Sequence, residues 1–465
     1  MFNFDSIVLD ADSYKPSHAW QYPPNTTHTV SYIESRGGQW DRTLFFGLQM
    51  WLKERLLTPV TMQDVDEAAG FWAAHGVPFS REKWAYIVTH HKGRLPVLIK
   101  AVPEGMVIPT HNVLTTIENT DPNCWWLPSY LETSMLRAIW YPTTVATLSW
   151  HAKQIIRAAL HKSSDDPEAG LPFKLHDFGY RGVSSRESGS IGGAAHLVNF
   201  MGTDTPGALL HARRYYCESM AGFSIPAAEH STMTSWGREG EADAYSNMIT
   251  QFGKPGSLLA VVSDSWDIMN AVNNIWGGLL REKLMNSGAT VVVRPDSGDP
   301  VKVPIDVIEA LGERFGYTVN SKGYKVLHNC VRVIQGDGMN IDSIKTLFEN
   351  LLARGWSADN IAVGMGGGLL QGVTRDTLKW AMKCSAACID GEWRDVYKDP
   401  ITDQGKKSKK GRLILTRERG KWETLREGSG FAYADSLAPV FRNGELLRDY
   451  TFAEVRELSN APALD

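Results

Sequence analysis

From residue 173 onward the chain alternates short apolar runs with stretches of helical spacing. Phe173 to Gly179, Leu258 to Asp264, Val291 to Asp296, Val331 to Asp337 and Ile361 to Gly366 each end in a polar or glycine-rich turn. Runs this short and this apolar predict strands buried on both faces. Between them Ile268, Ala271, Val272, Ile275 and Leu279 keep helical spacing, as do Val307, Ala310 and Leu311, and then Ile344, Leu347, Leu351 and Leu352. The alternation predicts parallel β/α units in a closed or nearly closed barrel, with an open doubly wound sheet as the alternative. In either arrangement the chemistry belongs at the carboxyl ends of the strands.

The first third of the chain is irregular and rich in aromatics. Val97 to Val102 reads as a strand after Pro96, Thr29 to Ile33 is β-prone, and a helix with apolar spacing is predicted near Trp150 to Leu160. The polar breaker Ser163-Ser164-Asp165-Asp166-Pro167 predicts a boundary. After Ile389 the sequence is again turn-rich and β-prone, with a basic loop from Lys406 to Arg412.

Charge narrows the classes of function. With Lys+Arg 48 against Asp+Glu 52 the net charge is −4, so a dedicated nucleic-acid binder is disfavoured. No apolar run approaches the ~18 residues that cross a bilayer. Met1 to Asp5 lacks the basic start and apolar stretch of a signal peptide, which gives the expectation of a soluble cytoplasmic protein without a membrane partner. The five cysteines are scattered, and the close pair, Cys384 and Cys388, has CxxxC spacing, so reduced core thiols are expected rather than a disulfide framework or a zinc site.

The strand ends carry the candidate chemistry. In Ile361 to Gly368 the glycines let backbone N–H groups approach an anion, although a tight strand-to-helix turn reads the same way. Arg294-Pro295-Asp296-Ser297-Gly298-Asp299-Pro300 sets a guanidinium beside two carboxylates, suited to the phosphate and hydroxyls of a phosphorylated sugar or to a salt-bridged turn. Gln335-Gly336-Asp337-Gly338 and Ser263-Asp264-Ser265-Trp266-Asp267 repeat the theme, and hard oxygen ligands of this kind suit Mg²⁺. Phe178 and Arg181 offer a stacking face and a cation at one strand end, and Glu229-His230 pairs an acid with an imidazole. No HExxH, GxSxG or Cys/His nucleophile pattern supports zinc or acyl chemistry.

Taken in order, these motifs make the sequence recognisable. Asp12-Ser13-Tyr14-Lys15, Glu118-Asn119-Thr120-Asp121-Pro122, His176 to Gly182, Pro226 to Ser231, Arg294 to Gly298, Ile334 to Gly338, Gly366 to Gln371 and Ser408 to Leu413 run through nearly the whole chain. The sequence resembles the nicotinamide phosphoribosyltransferases of the type II phosphoribosyltransferase family. That resemblance implies an irregular β/α barrel of parallel strands, with a second, β-rich α+β domain built from the N- and C-terminal parts. The corresponding ranges are 1–165, 166–390 and 391–465.

The resemblance also implies a homodimer with shared active sites that joins nicotinamide to 5-phosphoribosyl 1-pyrophosphate. Phe178 and the partner's Tyr14 would sandwich the pyridine ring, with Asp204, Arg181 and Ser224 near the carboxamide. Arg294, Asp296, Ser263, Gly336 and Asp337 would contact ribose and phosphate, and Gly366 and Gly367 would cradle the 5′-phosphate. Arg375, Lys383, Lys398 and Lys406 match basic positions brought by the partner subunit. His230 matches a histidine phosphorylated by ATP, with Glu229 setting its charge and orientation and Asp267 completing the acidic set. Mg²⁺ would enter with the pyrophosphate and nearby Asp residues, its protein ligands left open. Trp266 and Ala381 stand where the family pattern has Tyr and Ser. On residue types alone Asp204 also reads as a cap for a helix beginning near Gly207. The rival functions are nicotinate phosphoribosyltransferase and a non-catalytic phosphate-ligand or RNA binder working through the 406–412 loop.

Overall fold

Each apolar run of the middle region forms a strand of one parallel sheet in the computed structural model, which describes residues 5–402, 407–429 and 434–461. The strands are Leu175–Asp177, Leu258–Val262, Thr290–Arg294, Val331–Gln335 and Ile361–Met365, joined by a two-residue strand, Gly202–Thr203, that has no apolar run to announce it. Across the sheet the order is Gly202–Thr203, Leu175–Asp177, Ile361–Met365, Val331–Gln335, Thr290–Arg294, Leu258–Val262, every pair parallel.

The two edges of this sheet are not left open. Phe223 N–H donates to the Met201 carbonyl at 2.7 Å and Thr203 N–H to the Phe223 carbonyl at 3.1 Å. On the far side Ala260 N–H donates to the Pro226 carbonyl and Ala228 N–H to the Ala260 carbonyl, both at 2.9 Å. One short stretch thus bonds to both edge strands and completes an irregular barrel, so the closed form holds over the open sheet. Ala260, Val292 and Ile334 form the interior layer, with Phe178, Ile225 and Ala362 packed against them. The two-residue strand period then places Arg294, Gly336 and Gly364 on the same inward face.

The connecting helices follow the predicted spacing with one exception. Lys302–Phe315 and Ile341–Ala353 bury Val307, Ala310, Leu311, Ile344, Leu347 and Leu351. Ile268–Asn270 instead continues as a π-helix, Ala271–Leu279, and Leu279 ends 75 % exposed. A π-helix takes more residues per turn, so a side chain that α-helical spacing would bury rotates outward.

The contacts group the chain into two units, Met1–Thr147 with His211–Glu218 and Thr374–Asp465, and Leu148–Leu210 with Ser219–Val373. These limits differ from 165/166 and 390/391 for physical reasons. The helix expected near Trp150 to Leu160 in fact runs Glu132–Ser163, straight through Thr147 and past Pro142, because Met135 and Ile139 in its first half are fully buried. Packing here overrides local propensity. Trp380–Ile389 pairs antiparallel with Thr26–Ser35, which ties residues after 373 to the first unit. Gln49 Nε2 donates to the Tyr215 carbonyl at 2.8 Å and the Tyr216 hydroxyl to Glu104 Oε2 at 2.6 Å, which ties residues 211–218 there too.

The first unit is built on a seven-stranded sheet in the order Glu392–Asp395, Trp380–Ile389, Thr26–Ser35, Val113–Asn119, Val97–Ala101, Ala438–Arg442, Glu445–Leu446. Its neighbours are antiparallel, and N- and C-terminal segments meet where Ala438–Arg442 pairs with Val97–Ala101. No described helix is long and apolar enough to cross a membrane.

Candidate active site

A cavity of about 510 Å³ opens at the carboxyl ends of the barrel strands. Its lining follows the strand order: Asp204, then Phe178, Tyr180 and Arg181, then Gly366, then Gly336 and Asp337, then Arg294 and Asp296. Eight of these nine were singled out from sequence, and Tyr180 is the addition.

Phe178 owes its place to two missing side chains. Its N–H donates to the Met365 carbonyl at 3.0 Å, which carries the chain past the end of its strand, and the ring lies across the neighbouring strands. A Cβ on Gly364 would stand 2.0 Å from the ring, and one on Gly336 3.2 Å. Gly364 is therefore required by a residue far away in sequence, a need no local pattern reveals. The ring is left with a face toward the cavity, the geometry for stacking a flat heterocycle.

Beside it, Asp204 Oδ1 accepts the Ser224 hydroxyl at 2.6 Å. The helix that follows is Pro206–Tyr216, and among the described residues no helix N–H reaches the Asp204 carboxylate, so the capping role falls away. A second, more apolar cavity of about 460 Å³ adjoins the same residue, lined by Pro206, Leu209, Met220 and Phe223.

The next arc of the barrel is built for anions. Arg294 is mostly buried, and its Nε has no hydrogen-bond acceptor among the described residues; the Asp296 carboxylate stands at 3.6 Å, beyond bonding range. A buried donor left unmet at a cavity wall calls for a ligand acceptor. Gly366 ends the strand turn and Gly367 is exposed, with nothing within 4 Å of where its Cβ would be, so backbone amides there stay uncovered.

His230 and Asp264 complete the ring. Nε2 of His230 lies 2.9 Å from Asp264 Oδ1 and Nδ1 lies 3.9 Å from Asp296 Oδ2. Asp264 Oδ2 accepts the Asp296 N–H at 3.0 Å and the Ser297 hydroxyl at 2.5 Å. Burial acts to raise the Asp264 pKa, but Ser297, His230 and the Asp296 N–H together hold it below the usual Asp value. An ionised carboxylate only accepts, so the facing Nε2 is the donor of this pair and Nδ1 is the ring nitrogen left without a hydrogen bond among the described residues.

Several sequence candidates are placed elsewhere. Glu229 does not hold His230: its carboxylate accepts the Ser231 hydroxyl and takes part in capping the helix His230–Thr234. Asp264, just past the end of another strand, is the carboxylate that the imidazole meets. Ser263 is fully buried, its hydroxyl donating to the Val261 carbonyl at 3.0 Å and accepting the Trp276 indole N–H at 3.1 Å, so it faces the core and not a ligand. Asp267 Oδ1 caps its own helix through the Met269 and Asn270 N–H groups. Tyr14, Arg375, Lys383 and Lys398 belong to the first unit, and Lys406 lies outside the described residues. There Tyr14 is 57 % exposed, Lys383 Nζ donates to the Met382 carbonyl at 2.7 Å, and burial lowers the Lys383 pKa.

Among the described residues, His91, Asp121 and Cys124 have the side-chain types of a metal site. Asp121 Oδ2 already accepts from His91 and from the Tyr86 hydroxyl, and Oδ1 accepts the Asn123 N–H, so that carboxylate is saturated.

Residues 173–445 match the model of the nicotinate phosphoribosyltransferase family, and residues 6–99 match the nicotinamide phosphoribosyltransferase N-terminal domain. The chain belongs to this family. A nicotinamide phosphoribosyltransferase of Xanthomonas campestris is 57 % identical over 470 residues, covering 100 % of both chains. One of Acinetobacter baylyi is 30 % identical, over 96 % of this chain and 95 % of that one. Among solved structures, a nicotinate-nucleotide pyrophosphorylase from Pyrococcus furiosus superposes with a TM-score of 0.63 at 15 % identity, over 99 % and 96 % of the two chains, a likeness of fold. Family membership accounts for the order of motifs along the chain and for an irregular barrel joined to an antiparallel unit.

Proposed function

We propose that the protein joins nicotinamide to 5-phosphoribosyl 1-pyrophosphate, giving nicotinamide mononucleotide and pyrophosphate, a step of pyridine nucleotide synthesis. The observation that carries this reading is the single cavity wall that runs from a stacking ring and a carboxylate, Phe178 and Asp204, to a guanidinium whose Nε has no acceptor among the described residues and two further carboxylates, Arg294, Asp296 and Asp337. Its full-length likeness to nicotinamide phosphoribosyltransferases supports the same reading.

The chemistry follows from charge. As the bond from C1 of the ribose to pyrophosphate stretches, positive character builds on C1, and the pyridine nitrogen closes on it. That nitrogen bears no proton, so no general base is needed; the protein positions the ring and complements charge. Phe178 fixes the plane of the base, Asp204 accepts from the carboxamide N–H, and Arg294 with the amides at Gly366 and Gly367 binds phosphate oxygens. Asp296 and Asp337 fit Mg²⁺, being carboxylates at a cavity wall, and the ion would balance the charge of the departing pyrophosphate.

Two further parts of the reading come with it. A homodimer would bring Tyr14, Arg375, Lys383, Lys398 and Lys406 of the partner subunit to each cavity. ATP would phosphorylate His230: Nδ1 attacks the γ-phosphorus, ADP leaves, and Asp264 retains the Nε2 proton and balances the ring's charge. Purified protein with Mg²⁺ and the activated sugar is expected to yield a mononucleotide from nicotinamide in preference to nicotinate, read by chromatography and mass; no product from nicotinamide by folded protein refutes the reading. His230→Ala is expected to keep basal synthesis and lose the gain from ATP. Equal stimulation in both proteins counts against His230 as the phosphoryl acceptor.

A further inference from the structure

Beneath the base-binding turns lies a buried carboxyl group that the chemistry above leaves without a role. Asp177 ends the strand Leu175–Asp177 and is fully buried. Its Oδ1 accepts the Gly179 N–H at 2.8 Å, its Oδ2 accepts the Thr203 hydroxyl at 3.2 Å, and its carbonyl accepts the Asp204 N–H at 2.9 Å. The Thr203 oxygen in turn accepts the Thr205 N–H at 3.0 Å. From behind, the helix Arg186–Leu197 comes so close that a Cβ on Gly193 would lie 3.2 Å from Asp177 Oδ2 and 2.7 Å from the Ala208 Cβ. One residue thereby ties the turn bearing Phe178 and Arg181 to the turn bearing Asp204.

We propose that Asp177 is a positioning residue for base recognition: by accepting from both turns at once it fixes Phe178 relative to Asp204, so that ring stacking and carboxamide recognition act on the same ligand. The inference rests on the reading of this cavity as a nicotinamide site. Burying a carboxylate costs several kcal/mol unless donors offset it. An apolar side chain would fill the same space without that penalty but would bond neither turn. The chain nevertheless keeps a carboxylate whose two oxygens face different loops.

The effect belongs on affinity for the base and not on the sugar phosphate or the chemical step. Asp177→Ala is expected to raise KM for nicotinamide about tenfold, with kcat and KM for the activated sugar moving less than about threefold. Asp177→Asn keeps an acceptor for Gly179 and offers Nδ2 to the Thr203 oxygen, and is expected to restore KM for nicotinamide to within about threefold of the parent protein. Should the alanine variant fail to fold, Thr203→Val removes the Oδ2 contact and the acceptor of the Thr205 N–H while leaving the Gly179 bond to Asp177 in place, and is expected to raise the same constant about three- to fivefold. Calorimetric titration of each variant with nicotinamide reads the same difference without turnover. An unchanged nicotinamide constant in a folded variant, an equal rise for both substrates, or no recovery with Asn overturns the assignment. A parent protein that makes no mononucleotide refutes the nicotinamide reading instead, so the two failures are told apart.

Discussion

Asp204→Asn is expected to move the ratio of kcat/KM for nicotinate over nicotinamide upward by roughly 30- to 100-fold, the yield of about 2–3 kcal/mol. Nicotinamide and nicotinate differ in the ring substituent: the carboxamide donates, whereas the carboxylate only accepts and is negative. With Oδ1 engaged by Ser224, the other oxygen of Asp204 can accept an amide N–H but only repels an acid. Asparagine of the same shape can turn a donor to the ligand. It should favour nicotinate through KM while leaving the phosphate-binding constants in place. Steady-state kinetics with both bases decide it. A fixed ratio accompanied only by a lower Tm would place the selectivity outside Asp204.

Gly364→Ala should be the most damaging single methyl in the barrel. The added carbon would stand 2.0 to 2.2 Å from two atoms of the Phe178 ring, inside any tolerable contact, and the backbone on either side is held in the parallel ladder. The ring must leave its place across the strands. We expect kcat/KM for nicotinamide to fall by about 100-fold or more, the scale of a misplaced binding contact, against a stability loss of about 1–3 kcal/mol from overpacking. Gly336→Ala is the internal comparison: its carbon would lie 3.2 Å from the same ring, and a small shift accommodates it. Equal kinetics for the two variants would show that Phe178 does not read the base.

The barrel was legible because its strands advertise themselves. Val291 to Val293 are continuous and β-branched, Val331, Val333 and Ile334 keep the same character around Arg332, and both runs are bounded by polar turns, so burial leaves a plain trace. Gly202–Thr203 and the Phe223 to Ala228 stretch leave none, being held by backbone bonds that any residue type can make. The site divides in the same way. Arg294, Asp296 and Asp337 stood out because an unusual residue type follows an apolar run. Glu229 was paired with His230 because it is adjacent in the chain, yet the imidazole meets Asp264, 34 residues on. Ser263 and Asp267 carry the right chemistry at the right strand end, but the pleat turns one into the core and the helix start claims the other. Gly364 was invisible because the reason for it is a ring just past the end of another strand.

The closing stretch from Phe223 to Ala228 contains Ser224 and runs directly into His230. The seam of the barrel and the groups that grip its ligands are therefore one piece of chain, and neither can come loose alone. If the seam parts, Ser224 leaves Asp204 and the peptide leading to His230 loses its tether to Ala260. A base that binds only while Ser224 holds Asp204 would act as a clasp across that seam, and at a hundredfold excess over Kd it would add about 2.7 kcal/mol against opening. Supply of substrate would then set how long the ring stays shut, and with it how often the peptide from Phe223 to Ala228 is free to bend into a protease: a starved molecule would also be a more perishable one.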